Sequence, residues 1–135
     1  MQRVLGFIYG VIAYAGFMAW MVYMIGFLGD FAVPKSVNSS SVGPVPIAIL
    51  VNFLLILLFG VQHTIMARPA FKQWLTQFIP RPLERSTFVF VADIIMWVMI
   101  WQWRPIGGVV WHVQNTIAAN ILLAVALLGW VAVVL

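Results

Sequence analysis

The chain has 135 residues, of which 64% are hydrophobic and 7% charged, against roughly 45–50% apolar and about 25% charged for an ordinary soluble domain. Three acidic and seven basic residues cannot cover that much apolar surface, which excludes a soluble globular enzyme and a disordered segment alike. The net charge of +4 is scattered between long apolar runs, the pattern of membrane-flanking anchors, so no nucleic-acid partner is expected.

Four apolar stretches, 4–28, 45–66, 86–103 and 117–135, each approach the roughly 20 residues a helix needs to cross about 30 Å of hydrocarbon. Backbone groups in lipid must be satisfied internally, and none of the runs alternates as a barrel strand would. The expected fold is therefore all-α: a single integral membrane domain over 1–135 with four transmembrane helices.

The first run follows Arg3 but is too long for a signal-peptide core and lacks a cleavage motif after it, so it reads as a retained span. Gly6 and Gly10 within it have the G-x-x-x-G spacing that admits another helix against the backbone. They are a candidate helix–helix contact. The connector 29–44, with Ser39-Ser40-Ser41, Pro34, Gly43 and Pro44, reads as an irregular loop outside the membrane with little function of its own.

The second connector is different. Phe71, Trp74, Leu75, Phe78 and Ile79 fall on one helical face, Pro69 suits a first turn, and Pro80 and Pro82 stop the run. A short interfacial helix over about 69–79 follows from this spacing. Arg3, Arg68, Lys72, Arg81 and Arg85 lie on one side of a four-span chain and only Lys35 and Arg104 on the other. This places the N-terminus and the second loop in the cytoplasm, in a bacterial inner membrane. The third connector runs from Arg104 and Pro105 through Gly107-Gly108, among Trp101, Trp103 and Trp111, tryptophans of the kind that form an interfacial belt.

Ionisable groups inside a span need an explanation, because a charge at the helix centre costs roughly 2.5–3.5 kcal/mol on insertion scales. His63, about 5 Å from the cytoplasmic end of the second span, and Asp93, about 10 Å into the third, are the two such groups. Gln62 adjoins His63, and Glu84, Arg85 and Arg68 mark the nearby boundary. These residues are the candidate site, a polar cytoplasmic mouth. Asp93 alternatively serves as structural glue, or as the acid of a small proton-linked transporter. His63 and His112 stand near opposite faces, which argues against one bis-histidine haem. The chain has no cysteine, no metal quartet, no phosphate-cradling loop and no Ser-His-Asp set, so no metal is expected.

The run Gly60-Val61-Gln62-His63-Thr64-Ile65-Met66-Ala67-Arg68-Pro69-Ala70-Phe71-Lys72-Gln73-Trp74, followed by Glu84-Arg85-Ser86-Thr87 and by Trp101-Gln102-Trp103-Arg104-Pro105, resembles the N-terminal half of methanethiol S-methyltransferases. These stand among the NnrU-like and isoprenylcysteine-carboxyl-methyltransferase-like membrane proteins. The resemblance implies methyl transfer from S-adenosylmethionine to a small thiol, methanethiol, giving dimethyl sulfide at a site within the bilayer. Under it His63 is the base that collects the thiol proton or orients the substrate and Arg68, Arg85 and Arg104 favour anions, while Gln62, Glu84 and Asp93 are supporting residues by their place in the polar mouth. Arg104, at the far face, is the weakest of the arginines for that purpose.

In the related membrane methyltransferases the cofactor is held largely by a later Arg-His-Pro-x-Tyr type segment, and these 135 residues contain no such run. Leu135 falls inside an apolar helix without a polar cap. The expectation is an N-terminal part of a longer enzyme, with its cofactor-binding residues beyond Leu135. A non-catalytic scaffold that needs a partner chain is the alternative.

Overall fold

A computed structural model describes residues 2–40 and 43–135. Ser41 and Val42, which the sequence reading placed in the first connector, lie outside the described residues. Five α-helices follow in order: α1 Gln2–Gly29, α2 Val45–Ala67, α3 Pro69–Leu75, α4 Glu84–Gln102 and α5 Thr116–Val134, with a 3-10 turn at Arg81–Leu83 before α4. No strand forms among the described residues, as the all-α reading requires. Three helices, α1, α2 and α5, are long and apolar enough to cross a membrane. The fourth candidate span, α4, carries Glu84, Arg85 and Asp93 within nineteen residues.

The helix limits follow from local chemistry. Pro46 sits in the first turn of α2, where its missing N–H costs nothing. Asn115 caps α5, its side-chain oxygen accepting from the Ala118 N–H at 3.0 Å. Pro69 opens α3 as expected, but the helix stops at Leu75 rather than near residue 79. The cause is a change of hydrogen-bond register: the N–H groups of Gln77 and Phe78 reach back three residues, to Trp74 and Leu75. The Thr76 hydroxyl also takes the Gln73 carbonyl at 3.1 Å. Thr76 thus competes for a helical acceptor, and Pro80 cannot resume the ladder.

The least apolar helix is the central one. α4 packs against both α1 and α2, which shields its polar groups from lipid. It runs parallel to α1: a Cβ added at Gly6 would stand 3.2 Å from Leu83 Cδ2, and one at Gly10 would stand 3.3 Å from Ser86 Oγ. At the other end the rings of Phe27 and Trp103 meet edge-on at 6.1 Å. The close approach that the Gly6/Gly10 spacing permits is therefore used inside the chain, against Leu83 and Ser86. α4 runs antiparallel to α2, with Asn52 against Arg104 at one end and His63 against Phe88 at the other.

Met24, Phe27, Leu55, Met96, Met99 and Ile100 form the buried core where α1, α2 and α4 meet. Five of the seven methionines are buried, three of them in this cluster, since a flexible thioether fills irregular gaps between helices. α5 stands apart, with no buried residue; its Trp130 packs against the core cluster.

The first connector is more than a spacer. The Val37 N–H donates to the Phe27 carbonyl at 2.9 Å, the buried Ser36 hydroxyl donates to the Asp30 carboxylate, and the Tyr23 hydroxyl donates to the Lys35 carbonyl at 3.1 Å. The Lys35 ammonium in turn donates to the Trp101 carbonyl near the C-terminus of α4. A cation fits there, among carbonyls left without helical partners.

Candidate functional site

His63 projects from the last two turns of α2 with its ring between two aromatic side chains, Phe59 one turn before it at 5.4 Å and Phe88 of α4 at 4.9 Å. The i and i+4 spacing puts Phe59 and His63 on one face, and the antiparallel run of α4 brings Phe88 across. The side chain is otherwise exposed. Among the described residues neither ring nitrogen makes a hydrogen bond to the protein, so the imidazole is held in place by stacking while both nitrogens stay open.

Gln62, next to it, turns into the helix interface and is buried. Its Nε2 donates to the Met66 sulfur at 3.1 Å, and its Oε1 has no partner among the described residues. A thioether is a weak acceptor, which leaves the amide undersatisfied on both sides. Glu84 opens α4 and pairs with Lys72 of α3 at 3.2 Å. Its charge suits a helix N-terminus, and the pair ties α3 beneath the His63 end of the bundle. Ala67, Lys72, Arg81, Glu84, Arg85 and Phe88 line an open cleft of about 490 Å³. Phe88 is common to this cleft and to the His63 contact. Arg68 lies exposed between α2 and α3, outside the cleft lining.

Asp93 belongs to a different contact. It is 5% exposed, and its Oδ1 accepts from Trp20 Nε1 at 2.8 Å. A Cβ added at Gly16 would stand 2.7 Å from its Oδ2. Five residues separate Asp93 from Phe88, about 140° around the helix. Phe88 therefore faces α2 and His63, whereas Asp93 faces α1. The structure brings His63, Gln62, Glu84 and Arg85 to one end of the bundle and sets Asp93 in the α1–α4 seam.

Arg104 is held at the opposite end. Its peptide pairs with Asn52, eleven residues and about 16 Å of helix away from His63. His112 follows in the irregular stretch after α4 and is exposed. Among the described residues no three His, Asp or Glu side chains gather closely enough to hold a metal ion.

Sequence reasoning passed over Trp20, Asn52, Phe88 and the cleft cations Lys72 and Arg81. Two of these carried a signal: a tryptophan deep inside a span needs an acceptor for its N–H, and a lone asparagine in an apolar run needs partners for its amide.

The sequence is 45% identical over 123 residues to methanethiol S-methyltransferase 2 of Bradyrhizobium diazoefficiens, a match covering 91% of this chain and 47% of that protein. It is 41% identical over 133 residues to methanethiol S-methyltransferase of Mycobacterium tuberculosis, covering 98% and 54%. To the methanethiol S-methyltransferase of Crocosphaera subtropica it is 38% identical over 133 residues, covering 98% and 52%. The chain spans about half the length of these curated relatives. No protein-family profile matches it, and no solved structure does.

Proposed function

We propose, from the 38–45% identity to methanethiol S-methyltransferases over about half of their length, that this chain is the N-terminal, membrane-embedded part of an S-methyltransferase. The reaction is methyl transfer from S-adenosylmethionine to methanethiol, giving dimethyl sulfide. The observation that carries the assignment of a base is the His63 ring, oriented by Phe59 and Phe88 with its nitrogens open. A histidine kept only for packing would be expected to bond a neighbour.

In the proposed reaction His63 would take the thiol proton on a ring nitrogen and so hold the acceptor as its thiolate, the form able to receive a methyl group. S-adenosylmethionine supplies the electrophilic methyl group. The described residues do not fit the rest of that molecule: Glu84 is spent on Lys72, and the cleft here is open rather than enclosed. Its contacts are assigned to the half of the family's length not spanned here, and no step is routed through them. Gln62 Oε1 offers an acceptor beside His63, Arg68 and Arg85 flank the mouth, and Asp93 supports the site by holding α4 against α1.

The same proposal takes α4 as a fourth span. It lies between α1 and α2 at the same levels, parallel to one and antiparallel to the other, and its nineteen residues reach about 28 Å. α3, with Trp74 exposed, and the turn after it, with Phe78 exposed, then lie in the interface. The cation-rich second loop faces the cytoplasm of a bacterial inner membrane.

Headspace measurement of dimethyl sulfide from membranes carrying the full-length protein tests the reading. His63→Ala is expected to lower turnover by about a hundredfold or more, with the defect shrinking as rising pH forms thiolate unaided. Unchanged turnover and pH profile in that variant would remove His63 from the chemistry.

A further inference from the structure

The cleft between α3, the 3-10 turn and α4 carries an unbalanced charge. Lys72, Arg81 and Arg85 face a single acid, Glu84, and that acid is already paired with Lys72. Among the described residues Arg81 and Arg85 enter no ion pair, and both are exposed. The remaining wall, Ala67 and Phe88, is apolar. Two guanidinium groups above an apolar wall match an anion that carries hydrocarbon, because guanidinium binds phosphate oxygens in a bidentate fork while the wall takes the adjoining chain.

The position in the fold narrows the ligand. The cleft opens where α2 ends at Ala67 and α4 begins at Glu84, the level at which apolar helix gives way to loop. Beside it Trp74 and Phe78 are 51% and 70% exposed, as aromatic side chains are at a headgroup layer. We propose that this cleft binds the phosphate of an anionic phospholipid, with Arg81 and Arg85 as its ligands and Phe88 against the glycerol and upper acyl chain. Because Phe88 also touches His63, the bound lipid would border the candidate site. The lipid site rests on the membrane placement of α2 and α4 and not on the methyl-transfer reading.

The test reads lipid retention, so it does not depend on activity. Full-length protein purified from membranes in mild detergent is titrated with phosphatidylglycerol, phosphatidylcholine or inorganic phosphate. Bound lipid is counted by native mass spectrometry, with the shift in thermal midpoint as a second reading. Phosphatidylglycerol is expected to be retained about tenfold more tightly than phosphatidylcholine. The Arg81→Gln/Arg85→Gln double variant should lose that preference, and Arg104→Gln, the same kind of charge loss at the opposite end, should keep it.

Glu84→Gln works in the other direction and serves if the double variant does not fold. By freeing Lys72 it should strengthen phosphatidylglycerol retention about threefold. Equal retention of the two lipids, equal losses in the double variant and Arg104→Gln, or no gain in Glu84→Gln would overturn the site. Stabilisation by inorganic phosphate matching that by phosphatidylglycerol would overturn its assignment to a lipid.

Discussion

Asn52 and Arg104, fifty-two residues apart, meet through the side-chain amide of one and the two flanking backbone groups of the other: Asn52 Nδ2 donates to the Arg104 carbonyl at 2.7 Å, and Asn52 Oδ1 accepts from the Arg104 N–H at 2.9 Å. Asn52 is 4% exposed. The pair supplies partners for the backbone just past the C-terminus of α4, where no helical partner exists. It also fixes the far end of α4 against α2 while Phe88 fixes the near end.

Asn52→Ala removes both bonds at once and leaves the Arg104 peptide unpaired, so a loss of about 1–3 kcal/mol is expected. Arg104→Ala keeps the peptide and should cost well under half of that. Unfolding midpoints of the two variants in one detergent compare them, and equal losses would mean that the Arg104 side chain, not its backbone, makes the contact.

Trp20 is the only bonded partner of the buried Asp93 among the described residues. Trp20→Phe preserves an aromatic ring and deletes the donor, leaving both carboxylate oxygens unpaired at a cost of about 1–3 kcal/mol. In an Asp93→Leu background, where no acceptor remains, the same tryptophan substitution should cost much less. A double-mutant cycle by thermal unfolding measures the coupling; additive losses would show that the indole N–H contributes nothing.

Each of the four apolar stretches falls on a helix whose limits lie within about two residues of it, because apolar run length is legible in one dimension. The direction each face points is not. Helix α1 is apolar all round, so no polar stripe marks the side that meets α4; Gly6 and Gly10 announced a close contact but not that Leu83 and Ser86 would fill it. His63 and Asp93 were placed at similar depths, yet an angle of about 140° between Phe88 and Asp93 on α4 sends them to different neighbours. The serines, prolines and glycine of the first connector read only as an irregular loop. Its order comes from long-range partners, such as Lys35 with the Trp101 carbonyl, which local sequence does not encode.

Lys35 gives the pH dependence a sign. Partial burial lowers the pKa of its amine from the ordinary 10.5. Between the folded value and 10.5 the unfolded chain binds more protons than the folded one, so stability rises with pH across that window. Below the folded value the charged amine opposes folding to a constant extent, and above 10.5 the penalty is gone. Lys35→Met should flatten this alkaline rise in the unfolding midpoint. A rise of the same size in the variant would assign it to another group.

Gly16 sits where α1 must accommodate the Asp93 carboxylate. Gly16→Ala would place a methyl carbon 2.7 Å from Oδ2, nearer than a carbon and an oxygen tolerate, and Asp93 cannot swing away without breaking its bond to Trp20. An overpacking loss of about 1–3 kcal/mol is expected, against the few tenths to 1 kcal/mol gain that alanine brings to an unobstructed helix position. Asp93→Ala in the same chain vacates the space, so the double variant should be more stable than the sum of the single losses predicts. Strict additivity would mean that the helices part freely at this level and that Gly16 is not what holds them close.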